Sequence, residues 1–193
     1  MAEILDPQKD AFQRKCSIII ALIASMLLVN SLGSQNATMA ASFQNAAAIN
    51  TYAFYQAKTV RQNDLTLAAQ TLEGIANTAV PLANESAKQL LRQQADVLRA
   101  KASGYESEPE TGEGKKELLE KARLAEKVRD QAMEKGPYFD FAGLLLQLSI
   151  ILISVVLITE RRTLYLTGMS TAALGTFLSL DGFFLFLRIP ILG

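Results

Sequence analysis

The 193-residue chain lacks histidine and tryptophan and has a single cysteine, Cys16. Without histidine it has no imidazole base for a catalytic triad and no histidine ligand for haem or iron. One cysteine excludes a disulfide framework, a four-cysteine zinc site and an iron–sulfur cluster. The 19 basic and 19 acidic side chains balance, which argues against binding nucleic acid through bulk charge. We therefore expect no metal, no cofactor, no nucleic-acid partner and no enzymatic activity.

Three long apolar runs are present, and they predict an all-α membrane protein with three transmembrane helices. A helix that crosses a bilayer needs roughly 20 apolar residues, because each residue adds about 1.5 Å to a path of about 30 Å. The runs cover residues 16–33, 139–158 and 164–187. The remaining segments are an N-terminal segment (1–15), an extramembrane helical region (34–138), a short turn (159–163) and a C-terminal tail (188–193).

Lysines and arginines beside the apolar runs predict the orientation. Lys9, Arg14 and Lys15 precede the first run, and Arg161 and Arg162 lie between the second and the third. Positive charge next to short segments stays in the cytoplasm, so the N-terminus and the short turn are predicted to be cytoplasmic and the extramembrane region to lie outside. The inverted topology is the alternative. A second alternative is that the first run is a cleavable signal peptide. The run is longer than the apolar region of most signal peptides, which favours an uncleaved anchor.

The extramembrane region is predicted to be helical throughout. From residue 35 to residue 62 it has no proline or glycine, and apolar or small residues recur three, four and seven positions apart. This pattern allows the first transmembrane helix to continue outward without a break. A weaker helical pattern follows as far as Thr78, and Pro81 ends it because proline has no N–H to donate.

Two further helices are predicted after this proline. One begins after Asn84, a residue typical of a helix N-cap, and ends at Gly104; the other covers Lys115–Lys135 and is stopped by Gly136 and Pro137. We expect these two helices to pair with each other as a long antiparallel hairpin or coiled coil. The residues expected at packing contacts of the extramembrane helices are Tyr52, Tyr55, Leu91, Leu98, Leu118 and Ala125.

The loop of this hairpin, residues 104–114, is acidic. It contains Glu106, Glu108, Glu110 and Glu113, together with a proline and glycines. Several carboxylates close together could bind Ca²⁺ weakly, but their spacing fits no known calcium loop. The sequence therefore favours a mobile, solvated tip over a metal site.

Small residues recur every four positions in two of the apolar runs. Such rows let two helices approach closely, either within one chain or between the chain and a partner, and both interpretations stay open. The residues expected at packing contacts in the membrane are Gly168, Ala172, Thr176, Thr171, Gly175, Ser179, Ser17, Ala21 and Ser25.

Asp181 is the only carboxylate well inside a predicted span. A charge in the membrane interior is costly unless it is paired, so it is a functional candidate. Asp181 lies close to the end of the third run, where Arg188 could reach back toward it. A structural pair or hydrogen bond, a contact to a partner subunit, and a role in proton or ion transfer are the three interpretations.

Four segments of the chain resemble a bacterial membrane family catalogued as domain of unknown function 4337. The loop YESEPETGEGKK is the most specific of them. The resemblance implies three membrane helices, a helical insert outside the cytoplasm and a place in the bacterial inner membrane, and it implies no assigned activity. The segments are Tyr52–Lys58 (YAFYQAK), 105–116 (YESEPETGEGKK), 117–130 (ELLEKARLAEKVRD) and 136–147 (GPYFDFAGLLLQ).

These features favour a non-enzymatic integral membrane protein that lies in the lipid bilayer and acts as a structural or accessory subunit. Such a protein would dock through its small-residue membrane faces and its extramembrane helices, onto a second copy of itself or onto a larger membrane complex. The alternative is one component of a homo-oligomeric channel or transporter in which serine and threonine hydroxyls and Asp181 line a path.

Overall fold

The computed structural model describes residues 7–78 and 85–187. Within this part of the chain the all-helical prediction is confirmed, since no strand occurs. Pro81, Asn84 and Arg188 lie outside the described residues, and so do the predictions made for them. The helices are α1 (Pro7–Thr78), α2 (Glu85–Gly104), α3 (Lys115–Met133), α4 (Gly136–Thr159) and α5 (Arg162–Phe184).

Several helix ends differ from the prediction. Gly136 and Pro137, which were expected to stop α3, form the first turn of α4. A proline costs nothing there, because the first N–H groups of a helix have no partner within it. Glu160 ends α4 in the left-handed conformation with φ 51°, and its N–H donates to the Val156 carbonyl at 2.8 Å. Leu185 ends α5 in the same way with φ 52°, two residues before the predicted end of the third run.

The chain divides into two compact units. Unit 1 comprises Met1–Ser42 and Arg129–Gly193, and unit 2 comprises Phe43–Val128. The long helix α1 contributes its first part to unit 1 and its second part to unit 2.

In unit 1, α5 runs antiparallel to α4. Gly182 lies against the ring of Phe139, near the start of α4, and Gly168 lies against Ile153, near its end. The first part of α1 packs on the same core. The buried apolar residues of this core are Cys16, Ile23, Leu146, Ile153, Val156 and Ala172.

Two contacts show that α1 and α5 run in the same direction in unit 1. The rings of Phe12 and Tyr165 are 5.9 Å apart near the start of both helices. Gly33 lies against the ring of Phe183 near the end of α5. In this three-helix core α4 is therefore antiparallel to both α1 and α5, and the two-residue turn between α4 and α5 requires the second of these pairings.

In unit 2, α2 runs antiparallel to the last part of α1. Arg99 donates to Glu73, and Arg92 donates to the Asn77 side-chain oxygen at 3.2 Å. The later residue of α1 thus meets the earlier residue of α2. The buried residues of the two segments are alanines seven positions apart, which permit close approach of the backbones: Ala69, Ala76, Ala95 and Ala102.

The part of α3 in unit 2 is also antiparallel to α1. The Lys115 ammonium donates to Gln62 Oε1 at 2.8 Å, and the Tyr52 hydroxyl donates to Glu126 Oε2 at 3.0 Å. Leu118 and Ala122 of α3 are buried. The second helix of the predicted hairpin therefore pairs with α1.

The predicted pairing of α2 with α3 is wrong. Both helices pair with α1, so they run in one direction, one after the other. The reason lies in the loop, which returns to its own starting point: the N–H groups of Lys115 and Lys116 donate to the carbonyls of Tyr105 and Glu106 at 3.0 and 3.1 Å. A loop closed in this way is an Ω-loop, and the chain leaves it without reversing.

Gly33 tests the packing of unit 1. A Cβ at this position would lie 2.6 Å from a ring carbon of Phe139 and 2.7 Å from one of Phe183. Because these rings also pack edge to face at 4.9 Å, Gly33→Ala is expected to cost about 1–3 kcal/mol through overpacking. Thermal unfolding of the purified chain, followed by its helical circular dichroism, measures this loss.

Gly74 of α1 supplies the control, since no atom lies within 4 Å of a Cβ placed there. Gly74→Ala is expected to leave stability unchanged or raise it by up to about 1 kcal/mol, because alanine restricts the unfolded chain. Equal melting temperatures for Gly33→Ala and Gly74→Ala would contradict the packing described for unit 1.

Candidate functional site

The carboxylates of the acidic loop of unit 2 are contacted by two lysines and a glutamine. We call the loop residues 105–114 together with Lys58, Gln62 and Lys115 the loop clamp. Lys58 and Gln62 lie one turn apart on α1, and Lys115 is the first residue of α3. The clamp joins two of the segments on which the family resemblance rests, Tyr52–Lys58 and 105–116.

Lys58 is the first of the two clamp cations. Its ammonium lies 3.3 Å from Glu108 Oε2 and 3.8 Å from Glu113 Oε2, and its side chain is only 17% exposed. The same ammonium lies 5.9 Å from the ring centre of Tyr105. A cation so placed between carboxylates and an aromatic face offsets its loss of water through both kinds of contact.

Lys115 is the second clamp cation and has the same kind of surroundings. Its ammonium lies 2.8 Å from Gln62 Oε1, 3.5 Å from Glu106 Oε2 and 5.5 Å from the ring centre of Tyr55. Its side chain is 15% exposed. Tyr55, predicted as a packing residue, thus contacts the loop clamp from α1.

Glu117 binds the loop from the first turn of α3. Its carboxylate accepts the Ser107 hydroxyl at 2.5 Å and the Glu108 N–H at 3.2 Å. Gly114 lets these groups meet: a Cβ there would lie 2.1 Å from Glu117 Oε2 and 2.3 Å from the Glu108 nitrogen. No residue but glycine fits this position without opening the loop.

The loop is exposed to solvent, as the sequence predicted, but it is tied down rather than a loose tip. Its backbone is closed on itself, and three lysines bind it, the third being Lys121, whose ammonium donates to the Gly112 carbonyl at 2.7 Å. A metal ion would have to displace the lysine ammonium groups that already contact the loop carboxylates. Among the described residues, no group of three or more acidic, histidine or cysteine side chains could hold a metal ion.

Asp181 belongs to a second polar cluster, in unit 1, at the end of α5. The residue is 2% exposed, and its Oδ1 accepts the Leu187 N–H at 2.9 Å. The Tyr138 hydroxyl donates to the Leu187 carbonyl at 3.0 Å, and the Lys135 ammonium donates to the Phe183 carbonyl at 3.4 Å. Asp181 therefore holds the chain that leaves α5 against the start of α4.

Asn30 is a buried polar residue that the sequence analysis missed. Its side-chain amide donates to the Phe139 carbonyl at 2.8 Å. Among the described residues, Asn30 Oδ1, Asp181 Oδ2 and Ser149 Oγ are buried without a hydrogen-bond partner. A lone asparagine within the apolar run 16–33 was the available signal for Asn30.

The small residues predicted for the third run form one buried stripe instead of two rows. The buried face of α5 takes members from both rows, three and four positions apart, and this face packs on α4. Thr171 and Thr176 lie at its edges, half-buried. The buried members are Gly168, Ala172, Gly175 and Ser179.

The small residues predicted for the first run lie on the opposite side from the core. Ser17, Ala21 and Ser25 are exposed, and the buried side of α1 carries Cys16 and Ile23 instead. The two serine hydroxyls donate to the carbonyls four positions earlier at 2.9 Å. This row therefore does not take part in packing within unit 1.

The remaining predicted packing residues are at the helix interfaces of unit 2 to different degrees. Leu118 is buried, whereas Ala125, Leu91 and Leu98 are half-buried. Tyr52 is half-buried and reaches α3 through its hydroxyl. Lys58 and Gln62, which the sequence analysis did not select, carry the contacts of α1 to the loop. The signal for Lys58 was its place in the YAFYQAK run, and Gln62 follows one turn later.

The comparisons with known proteins identify a family and nothing narrower. The family model described as "Domain of unknown function (DUF4337)" matches residues 12–185. No curated protein and no solved structure matches the chain.

Glu117 gives the loop a predictable pH dependence. The hydroxyl of Ser107, then the backbone N–H groups of Glu117 and Glu108, and the charge of Lys116 lower the pKa of Glu117. Because the folded pKa is lowered, the stabilisation is complete above the ordinary glutamate pKa of about 4.3 and is lost as pH falls through the folded value. Ser107→Ala is expected to destabilise unit 2 near neutral pH and to have little effect in acid.

Thermal unfolding at neutral and acidic pH measures this difference, and the carbon-13 shift of the Glu117 carboxyl gives its pKa directly. Ser103→Ala is the control, since Ser103 donates to the Ala100 carbonyl and lies outside the loop. A Glu117 pKa that Ser107→Ala leaves unchanged would contradict the proposed cause.

Proposed function

The chain belongs to the family described as Domain of unknown function (DUF4337), and from its geometry we propose that it is a non-enzymatic structural or accessory subunit of the bacterial inner membrane. The observation that carries the proposal is the surface of unit 1. All three helices of this unit turn large apolar side chains outward, on top of the apolar core that they enclose. Those at least half exposed include Ile18, Leu22, Leu28, Leu144, Ile151, Ile158, Leu166, Leu174 and Phe177.

A bilayer accommodates such a surface and water does not. Each large apolar side chain left in water forgoes roughly 1.5–3 kcal/mol of burial, and soluble monomers rarely expose wide apolar patches. Two helical stretches, Asp10–Thr78 and Lys115–Thr159, are long and apolar enough to cross a membrane. Only 22% and 28% of their most apolar windows are buried, which favours contact with lipid over the core of a soluble protein.

We infer a third crossing by α5, although this helix is not one of those two stretches. Its threonines, serines and glycines dilute its apolar character, but Gly168, Gly175 and Gly182 face α4, and several hydroxyls bond to the backbone of their own helix. Thr167 and Thr171, for example, donate to carbonyls four positions earlier at 3.2 and 2.6 Å. The 23 residues of α5 span about 35 Å, enough for one crossing.

The proposed role is docking rather than transport or catalysis. In α5 the small residues pack against α4 of the same chain. The row Ser17, Ala21 and Ser25 of α1 is exposed, so another membrane helix can approach it closely. Hydroxyls that donate to their own helix are poor candidates for lining a path, and Asp181 accepts a backbone N–H. These contacts favour the accessory subunit over the channel component.

Bulk added to the exposed row tests the docking role. Ala21→Leu is expected to remove a partner that co-migrates with the chain in mild detergent extracts of native membranes, because a leucine prevents close helix contact there. Leu22→Phe adds similar bulk to the same helix about 100° away and is expected to keep the partner. Native gel migration of the tagged chain measures both, and co-migration that survives Ala21→Leu would count against docking by this row.

The proposed topology places the N-terminus and the α4–α5 turn in the cytoplasm, where Arg161 and Arg162 favour it, and unit 2 in the periplasm. In a Cys16→Ser background, Glu110→Cys in the exposed part of the loop is expected to react with an impermeant maleimide on intact spheroplasts. Arg162→Cys, also exposed, is expected to react only after permeabilisation.

The Cys16→Ser parent controls for background labelling. Reaction of both cysteines from the same side would overturn the crossing of α4, and reaction of Glu110→Cys only after permeabilisation would invert the topology.

A further inference from the structure

The second part of α1 carries an exposed stripe opposite the face that packs on α2 and α3. Its members alternate four and three positions apart from residue 43 to residue 74, and all of them are exposed. Each lies two positions, or about 200°, from a member of the buried stripe that includes Ala48, Ala69 and Ala76. The first six members are Phe43, Ala46, Asn50, Ala53, Ala57 and Val60.

This spacing is the heptad repeat of a coiled coil. A stripe that recurs every 3.5 residues stays in contact with a second helix over its whole length, and here it continues for more than four heptads. The buried stripe uses the same spacing to hold α2 and α3. The exposed stripe therefore has the pattern of a helix interface, and none of the described helices of this chain covers it.

We propose that two copies of the chain pair in parallel through this exposed stripe of α1, as a two-stranded coiled coil. The apolar area and the polar residues of the stripe favour a second copy of this chain as the partner. The inference rests on the proposed docking role and deepens it.

The exposed apolar area is large enough for such a pair. Three stripe members are large and exposed, Phe43 by 73%, Val60 by 58% and Leu67 by 64%. Three more large apolar side chains lie one position beside the stripe, where a coiled-coil partner also covers them, and are 48% to 66% exposed: Ile49, Phe54 and Ile75. At about 100 Å² for each of these six side chains, two copies would bury about 1,200 Å², which is the lower end of stable protein interfaces.

The polar members of the stripe fit a second copy in parallel register. Asn50 occupies the same heptad position as Phe43 and Ala57, so in a parallel pair it lies opposite its own copy. An asparagine at this position pairs with itself and fixes the register of two-stranded coiled coils. Asp64 occupies the same heptad position two repeats later, so it too lies opposite its own copy, and Arg61, three positions earlier on each chain, supplies the opposite charge beside it.

Mass measurement of the full chain in detergent tests the pairing. The wild-type chain is expected to have the mass of two copies by light scattering, and Val60→Glu with Leu67→Glu is expected to halve it. Both residues are exposed in the single chain, so the helical circular dichroism of the folded variant should match that of the wild type, while its melting temperature should fall because the partner copy no longer stabilises it. Leu124→Glu with Val128→Glu, on exposed apolar residues of α3, is the matched control and should keep the mass of two copies.

A disulfide tests the parallel register. In a Cys16→Ser background, Ala53→Cys is expected to cross-link two copies under mild oxidation, because only parallel pairing brings this position opposite itself. Leu124→Cys is expected to remain monomeric. A wild-type mass of one copy, a mass that the Val60 and Leu67 substitutions leave unchanged, or no cross-link at Ala53→Cys would overturn the inference. These results leave the topology experiment untouched, so a failure here is separate from a failure of the proposed membrane crossing.

Discussion

Outward-facing apolar side chains on the three helices of unit 1 set the condition that the rest of the structure has to meet. Side chains such as Leu28, Ile151 and Leu174 gain nothing from the core, because they point away from it. In lipid they cost nothing, provided that every backbone N–H and carbonyl is bonded within its own helix. The continuous helices α1, α4 and α5 meet that requirement along their length, and in the core of unit 1 Asn30 donates to the Phe139 carbonyl and Asp181 accepts the Leu187 N–H.

Close approach to α1 explains the packing in both units. Several buried positions of α1 are small and let a neighbouring helix come close, such as Gly33 in unit 1 and Ala69 and Ala76 in unit 2, whereas Ile23 fills the core of unit 1. In unit 2 the opposite face of α1 repeats the same seven-residue spacing and stays exposed. One helix thus has two faces of equal period, which is why its sequence shows helical spacing without a clear polar side.

The helices and the family could be predicted from the sequence, but the pairing of the helices could not. Cap and stop residues placed the ends of α2 and α3 within two residues, because these signals depend only on neighbours along one helix. The choice of partner depends on whether the loop between them reverses the chain, and this is decided by hydrogen bonds from Lys115 and Lys116 back to Tyr105 and Glu106. The composition of this loop predicted a mobile acidic tip. Composition alone does not reveal that Lys58, some 50 residues earlier in the chain, lies beside the loop carboxylates in the fold.

The central claim, that α1, α4 and α5 each cross a bilayer, is tested most directly by nitroxide spin labels on their outward faces. Labels at Leu28, Ile151 and Leu174 in lipid vesicles are expected to collide with oxygen and to be shielded from a nickel chelate, because oxygen partitions into lipid and the chelate stays in water. A label at Leu90, which is exposed on α2 in unit 2, is expected to behave in the opposite way. Free access of the nickel chelate to Leu174 would contradict the crossing by α5, and free access to all three would contradict the membrane-embedded unit altogether.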